Sequence, residues 1–468
     1  MKFIFINPPR TISRKNIWSV VNSVTPPLGL ATLAAVLDTH AFETEIIDAA
    51  AEELGIPAIL ARIGTDAATI GLSATTPEID RVAEVAQALR RHRPNATILL
   101  GGVHPTLFHE SLVRDGVCDM VVRGEGEAAV LALAKQSPLD TIPGLTWRAA
   151  DGSVVINPPA TGYVVLDELP FPSYQKLPMR FYRSALGAAK RSPSIGLITS
   201  RGCPGTCTFC YSGMFGQKIR FMSAERVLEH MLFLKHTYGI REISFYDDTF
   251  TANRKRIEKL CELLLSGNAQ LSWSCFARVD TVEPALLALM KKAGCHQIGF
   301  GFESADENIL KAINKRIGTS DINRAVSWTR EAGLDIRGAF MIGNPGETEE
   351  SANRTIEYSK KLGIQYAVFN ITTPFPGTEL SRWAGEQGFV KHTQWGLYDL
   401  AHPILELPTI SSDAVLKAYQ RAYREFYLRP SYILRRLASI RTREDFLTYA
   451  NAFRGILSML RKESEKDA

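Results

Sequence analysis

No stretch of this 468-residue chain approaches the run of ~18 apolar residues that a membrane span requires. Charge of one sign is also missing. Lys and Arg number 54 against 49 Asp and Glu, a net charge of +5 with a pI near 8.7, too mild a field to call for nucleic acid as a partner. The start, Met1-Lys-Phe-Ile-Phe-Ile-Asn7, runs straight into Pro8-Pro9. It lacks a full apolar core and a small-residue cleavage site, so no signal peptide is expected. Seven cysteines are an odd number, too sparse for a disulfide scaffold, and a reducing cytoplasm is the expected setting. No Gly-x-Gly-x-x-Gly follows the first apolar run, which removes the usual sign of a dinucleotide site.

The scarce cysteines are not scattered evenly. Cys203, Cys207 and Cys210 fall within Arg201-Gly-Cys-Pro-Gly-Thr-Cys-Thr-Phe-Cys-Tyr211, on a loop opened by glycine and proline, where three thiols can converge on one metal centre. A tetrahedral zinc site wants a fourth protein ligand, and no second Cys pair or nearby His supplies an obvious one. A cubane iron–sulfur cluster takes four thiolates, one per iron, so three thiols leave one iron open. A structural zinc knuckle or chance clustering stands as the alternative. Cys118, Cys261, Cys275 and Cys295 lie in apolar or helical surroundings and read as inert core residues.

Length implies two or three domains, and 45% hydrophobic with 22% charged residues is ordinary for a globular protein. Up to residue 144, β-branched runs at Lys2–Asn7, Thr44–Asp48, Thr69–Ser73, Thr97–Leu100 and Met120–Arg123 alternate with helical patterns such as Leu28–Leu37 and Ile79–Arg91. This predicts a doubly wound, flavodoxin-like (Rossmann-type) α/β unit whose ligand lies beyond the carboxyl ends of its strands. Glycine and polar residues gather at those ends, in Ser73-Ala-Thr75-Thr, Gly101-Gly102-Val103-His104 and Gly124-Glu125-Gly-Glu127. Residues 145–193 read as a hairpin turning at Asp151-Gly152, then a proline-bearing linker. From 194 to 380, strands at Ile195–Thr199, Glu242–Tyr246, Leu271–Phe276, Gln297–Phe302, Ile336–Ile342 and Tyr366–Thr372 alternate with helices closed by Gly239, Gly267, Gly294, Gly333 and Gly363. Six βα units predict a partial (β/α)6 TIM barrel with its chemistry at the C-terminal ends of the strands, and the three-Cys loop directly follows the first of them. Residues 381–468 read as helical. There Arg429, Arg435, Arg436, Arg441 and Arg443 punctuate an apolar stripe of Tyr432, Leu434, Leu437 and Ile440, a capping helix with a solvated basic face or a surface for an acidic substrate or a membrane.

With Phe209 just before the last thiol, the loop resembles the signature of radical S-adenosylmethionine (SAM) enzymes, and the resemblance extends through residues 194–378. In that family the open iron of a 4Fe-4S cluster chelates SAM, and an electron from the cluster releases a 5′-deoxyadenosyl radical. The resemblance implies that Phe209 and the pair Asp247 and Asp248, in Phe245-Tyr-Asp-Asp-Thr-Phe250, belong to the SAM site. An ammonium there needs a charge-assisted acceptor. Glu303, after Gly299-Phe-Gly-Phe, is placed to hold the ribose hydroxyls, with Ser304 beside it in the SAM site, and Arg278 with Asp280 to orient the methionine carboxylate or to pair structurally. Gly343-Asn-Pro-Gly-Glu347 and Pro374-Phe-Pro-Gly-Thr378 match the loops after the fifth and sixth strands.

The N-terminal segment is similar to the cobalamin-binding domain that precedes the barrel in a large subgroup of these enzymes. By that resemblance Ser73 sits beside the dimethylbenzimidazole tail, Gly101 and Gly102 let backbone approach a flat ligand, and Pro26-Pro27-Leu-Gly29 is the loop before the first helix. Thr75, Val103, His104, Gly124 and Glu125 complete the implied set. The Asp-x-His-x-x-Gly motif that supplies an axial histidine elsewhere is missing, and His104 follows the fourth strand rather than the first. Bound cobalamin is therefore expected base-off with no histidine on cobalt. A flavin or nucleotide domain of the same fold is the rival.

The implied function is a cobalamin-dependent radical methyltransferase that uses SAM twice, once to methylate cob(I)alamin and once as radical source, on a small-molecule or lipid-like substrate. A reductase such as flavodoxin or ferredoxin would supply the electron. The layout also resembles the anaerobic magnesium-protoporphyrin ester cyclase group and hopanoid-modifying enzymes, and a non-catalytic cobalamin sensor is a third reading. Replacing Cys203, Cys207 or Cys210 by Ala should abolish cluster loading in anaerobically reconstituted protein, because no spare thiolate is at hand. The same change at Cys261 or Cys295 should leave iron content unchanged, and equal loss from those two variants would overturn the ligand assignment.

Overall fold

The computed structural model of the chain describes residues 2–9, 23–64, 69–185 and 187–438. The first apolar run forms β1 (Lys2–Asn7), which sends Phe3 and Phe5 to one side of a sheet and Ile4 and Ile6 to the other, all fully buried. A strand buried on both faces has to be continuously apolar. Beside it lie β2 (Glu43–Asp48), β3 (Thr69–Ser73), β4 (Thr97–Gly101) and β5 (Met120–Val122), in the parallel order β2-β1-β3-β4-β5. This is the flavodoxin-like order expected. The hairpin, β6 (Leu145–Arg148) and β7 (Val154–Ile156), does not stand with the linker. It pairs antiparallel onto β5, with Thr146 opposite Val121, and extends the sheet to seven strands. Gly152 supplies the positive φ (+86°) of its turn.

The second sheet contains β8 (Ser194–Leu197), then β11 (Glu242–Phe245), β12 (Ser272–Ala277), β13 (Cys295–Glu303), β14 (Asp335–Ile342) and β15 (Tyr366–Ile371), all parallel in sequence order. Between β8 and β11, a short antiparallel ribbon of β9 (Ser200–Arg201) and β10 (Arg220–Phe221) forms the two stems of the thiol loop. Four of the five glycine stops take the left-handed conformation, with φ of +66° at Gly239, +99° at Gly294, +71° at Gly333 and +67° at Gly363. Gly267 does not. It keeps right-handed helical angles, and Asn268 and Gln270 make the left-handed turn instead; asparagine tolerates that region.

The half-barrel does not close, so β15 is an edge strand with outward-facing backbone groups that need partners. The amphipathic helix Ser412–Tyr427 supplies them from tyrosine hydroxyls. Tyr423 Oη accepts from Phe369 N (3.1 Å) and donates to Phe369 O (3.0 Å), and Tyr427 Oη does the same at Ala367 (3.1 and 2.7 Å). Tyr432 Oη donates to Gln365 O at 3.1 Å, and Ile371 N is taken by Leu400 O at 2.8 Å.

Among the described residues after 381, an irregular stretch is followed by two helices, Ser412–Tyr427 and Pro430–Ala438, in keeping with the helical C-terminal region expected. In Pro430–Ala438, however, Leu434 and Leu437 are 66% and 58% exposed, so the stripe does not pack. Tyr432 and Arg436 dock at the carbonyl of Gln365, the residue just before β15. Ile440, Arg441 and Arg443 lie outside the described residues. Among those residues, no helix is long and apolar enough to cross a membrane. Tyr423→Phe should strand both the N–H and the C=O of Phe369 in a buried setting. An unsatisfied buried group costs roughly 1–3 kcal/mol, so the loss should approach about 2–5 kcal/mol, read as a lowered midpoint in denaturant.

Candidate active site

The thiol loop has little regular structure, and its shape comes from neighbours. Thr208 N donates to Ile313 O (3.0 Å), Leu380 N donates to Thr208 O (2.9 Å), and Asn314 Nδ2 donates to both Thr206 O and Thr206 Oγ1 (2.9 Å each). Gly205 N points at Cys203 Sγ (3.4 Å), and a Cβ at Gly205 would lie 3.3 Å from that sulfur and 3.9 Å from Cys207 Sγ. The missing side chain leaves a recess between two sulfurs. Among the described residues no group of three or more His, Cys, Asp or Glu side chains is gathered tightly enough to hold a single ion. Thiols spread around an open recess suit a larger, multi-iron group. Burial pushes the Cys207 thiol up, while the Lys315 and Arg278 cations beside it pull the other way. The other four cysteines are buried in the core as expected.

Around this loop, the strand ends of the half-barrel carry the residues singled out in the sequence. Burial pushes the Cys210 thiol up to about 11, and the nearby Cys207 and Asp248 add to the rise. Arg278 grips Asp280 with two bonds of 2.9 Å, donates to Lys315 O (3.2 Å), and sends Nη1 to within 3.8 Å of the Gly205 recess. Glu303 is buried at φ +64°, where the register of β13 against β14 shifts, and accepts from Lys315 Nζ at 2.7 Å. Phe209 is half-buried against the core.

Two residues of the expected set face elsewhere. Asp247 is fully buried and accepts from the Thr199 hydroxyl (2.6 Å), the Thr199 amide and the Ser200 amide (3.0 Å). Its carboxylate ties β11 to the start of the thiol segment, and burial raises its pKa against the pull of Arg256. Ser304 is also fully buried, hydrogen-bonded to Thr355 Oγ1 (3.2 Å) and accepting from Asp306 N (3.1 Å).

Sequence reasoning missed Lys315, set between Asn314 and Arg316, both at positive φ (+51° and +56°). It also missed the floor of the half-barrel. Tyr246 and Phe276 stack there (5.9 Å, 27°), in space left by Gly196 and Gly299, where any side chain would collide with the rings. Beneath them is a polar layer of Ser244, Ser274, Gln297 and Arg337.

A second recess penetrates the N-terminal domain at the carboxyl ends of its strands. It brings together Gly29, Ser73, Gly101, Gly102, Gly124 and Glu125 over an apolar interior of Phe5, Leu30, Leu33 and Val130. Gly102, at φ +96°, has no room for a side chain, since a Cβ would sit 2.7 Å from Ala74 O. A glycine rim over an apolar slot suits a flat ring system and fits the tail of a corrinoid, the rest of which would lie outside. The slot has one wall from the other domain, since Met214 and Phe215 of the thiol loop line it too.

Pro27, Thr75, Val103 and His104 do not line the recess. Thr75 is engaged in a capping box with Glu78. His104 is buried among rings, 4.5 Å from Phe108 and 5.2 Å from Trp395, with Nδ1 3.3 Å from Thr76 Oγ1. Burial lowers its pKa to about 4, so the ring is neutral at physiological pH.

Residues 197–359 match the Radical SAM superfamily and residues 15–134 match the B12 binding domain. An uncharacterized methyltransferase of Pyrococcus horikoshii is 37% identical over 445 residues, 93% of this chain and 94% of that one. Cytidylyl-2-hydroxyethylphosphonate methyltransferase of Streptomyces wedmorensis is 28% identical, over 83% of this chain and 82% of its own. Among solved structures, the cobalamin-dependent SAM radical enzyme OxsB with aqua-cobalamin and SAM bound shares the fold, with a TM-score of 0.74 at 16% identity over 96% of this chain and 70% of that one.

Breaking a buried ion pair from one side costs about 3–5 kcal/mol, because the remaining charge is left unpaired. Lys315→Met should therefore destabilise the cofactor-free protein by that order. Lys315→Met with Glu303→Gln should recover a large part of the loss, measured by denaturant unfolding of both variants.

Proposed function

The chain belongs to the radical SAM superfamily and carries a B12-binding domain ahead of its radical SAM domain, and from that premise we propose that it methylates an unactivated carbon of a small-molecule, tetrapyrrole or lipid-like substrate. One observation carries the reading: the loop that bears the three thiols also supplies, through Met214 and Phe215, a wall of the glycine-rimmed slot. A radical formed at the first recess and a methyl donor held at the second would then share one chamber. Proximity of this kind turns an encounter into an intramolecular event.

Cys203, Cys207 and Cys210 would hold the iron–sulfur cluster, and Gly29, Ser73, Gly101, Gly102 and Gly124 the corrinoid tail. When bound, the cluster supplies the electron that splits SAM and the corrinoid supplies the methyl group; the protein positions and shields both. Asp248 and Arg278 bring opposite charges to the mouth of the half-barrel and suit the ammonium and carboxylate of a methionine moiety. Glu303 keeps one carboxylate oxygen beyond its bond to Lys315 and would accept from a ribose hydroxyl. The Tyr246–Phe276 pair closes the chamber from below and keeps solvent out of it. The electron would come from a flavodoxin- or ferredoxin-type reductase.

Anaerobic turnover with candidate substrates tests this directly. Near-equal yields of S-adenosylhomocysteine and 5′-deoxyadenosine are the expected result, because each methylation consumes one SAM by each route. 5′-Deoxyadenosine alone would replace methyl transfer by a cyclase-like or oxidative reaction.

A further inference from the structure

Arg201 and Arg220 are directly opposite each other in the β9–β10 ribbon. Like charges in that relation repel, and both side chains are mostly buried, at 15% and 13% exposure. The ribbon holds this pair because two carboxylates from the other domain reach it, Glu125 bridging both guanidinium groups and Glu127 pairing with Arg201. Arg201 Nη1 donates to Glu125 Oε1 (2.9 Å) and Arg201 Nη2 to Glu127 Oε1 (2.6 Å). Arg220 donates to both oxygens of Glu125, at 2.6 and 3.1 Å. The linker joins the same cluster, with Val164 N donating to Glu125 Oε2 (3.2 Å) and Val164 O accepting from Arg220 Nη1 (3.1 Å). Two positive and two negative charges balance in a network that spans the N-terminal domain, the linker and the half-barrel.

The location matters more than the pairing. Arg201 and Arg220 are the two stems from which the thiol loop hangs, and Glu125 and Glu127 follow β5 at the rim of the glycine-lined slot. Buried ion pairs of this type add little net stability over apolar packing, but they impose one geometry, because any shift strands a charge away from water. A greasy contact would tolerate sliding; this one does not.

We propose that Glu125, Glu127, Arg201 and Arg220 form an interdomain latch that sets the distance between the slot and the thiol loop, and so act as positioning residues for group transfer between the two domains. The transfer itself rests on the function proposed above; the latch geometry does not.

Arg220→Met keeps an unbranched, flexible stem and removes the charged fork, at a residue that does not line the slot. Two measurements on full-length protein test the idea. In hydrogen–deuterium exchange, Val164 and the loop between residues 202 and 219 should exchange about tenfold faster or more in the variant, as a local opening requires. In protein reconstituted with iron and cobalamin and given SAM and dithionite, iron and cobalamin content and 5′-deoxyadenosine yield should stay within about twofold of wild type. The single-turnover yield of S-adenosylhomocysteine relative to 5′-deoxyadenosine should fall about tenfold or more, since a misplacement of 1 Å costs on the order of a hundredfold. Arg220→Lys, which keeps the charge, should give intermediate values, and it decides the matter if the Met variant does not fold. Exchange and product ratio both equal to wild type would overturn the latch. A parallel loss of both products would reduce it to a purely structural role. If wild-type protein makes 5′-deoxyadenosine and no S-adenosylhomocysteine, methyl transfer fails as a function, and the exchange measurement alone judges the latch.

Discussion

A loop that carries three thiols and almost no regular structure has to be held in shape by something else. Here the holding groups come from far along the chain. Ile313 O and Asn314 grip Thr206 and Thr208, Leu380 takes Thr208 O, and Arg278 and Lys315 bring positive charge alongside Cys207. Much else in the half-barrel follows from this dependence. The left-handed turns at Asn314 and Arg316 aim Lys315 inward, and Gly301 has no side chain because a Cβ would crowd Lys315 Nζ (2.9 Å). Asp247 is occupied in fastening Thr199 and Ser200 at the root of the loop.

The same loop defines how the two sheets face each other. The N-terminal sheet contributes a slot between β-strand ends and the helix Leu28–Thr39, whose rim is glycine wherever backbone must come close. Met214 and Phe215 complete that slot from the other side, and the loop after β15 packs in as well, with Gly377 leaving room for the Tyr211 ring and Leu107. The slot and the thiol-loop recess therefore share a wall.

Both sheets were legible in the sequence: β1 is a continuous apolar run, as a strand buried on two faces requires, and the strands of the second sheet are set off by the glycines that close the helices between them. The thiol loop was legible because its three cysteines fall within eight residues. What escaped reading was non-local pairing. The Glu125 contacts to Arg201 and Arg220 join residues 76 and 95 positions apart, and no local pattern announces them. Ser304 and His104 carried motif positions but point into packed interiors, where Thr355 and the rings of Phe108 and Trp395 surround them. The direction of a side chain depends on tertiary packing, which spacing alone does not encode. Gly196 and Gly299 were invisible for a related reason: their role is to be empty beneath Tyr246 and Phe276.

The tyrosine hydroxyls along β15 have a consequence for how the protein behaves in company. A seventh strand would have satisfied Ala367 and Phe369 equally well, but it would have carried a fresh row of unpaired amides on its outer side. A hydroxyl that both accepts and donates terminates the pattern, because a phenol has no second face to offer. The sheet therefore stops growing at a helix, and this flank gives other chains no template for strand addition, the route by which open parallel sheets recruit copies of themselves into aggregates.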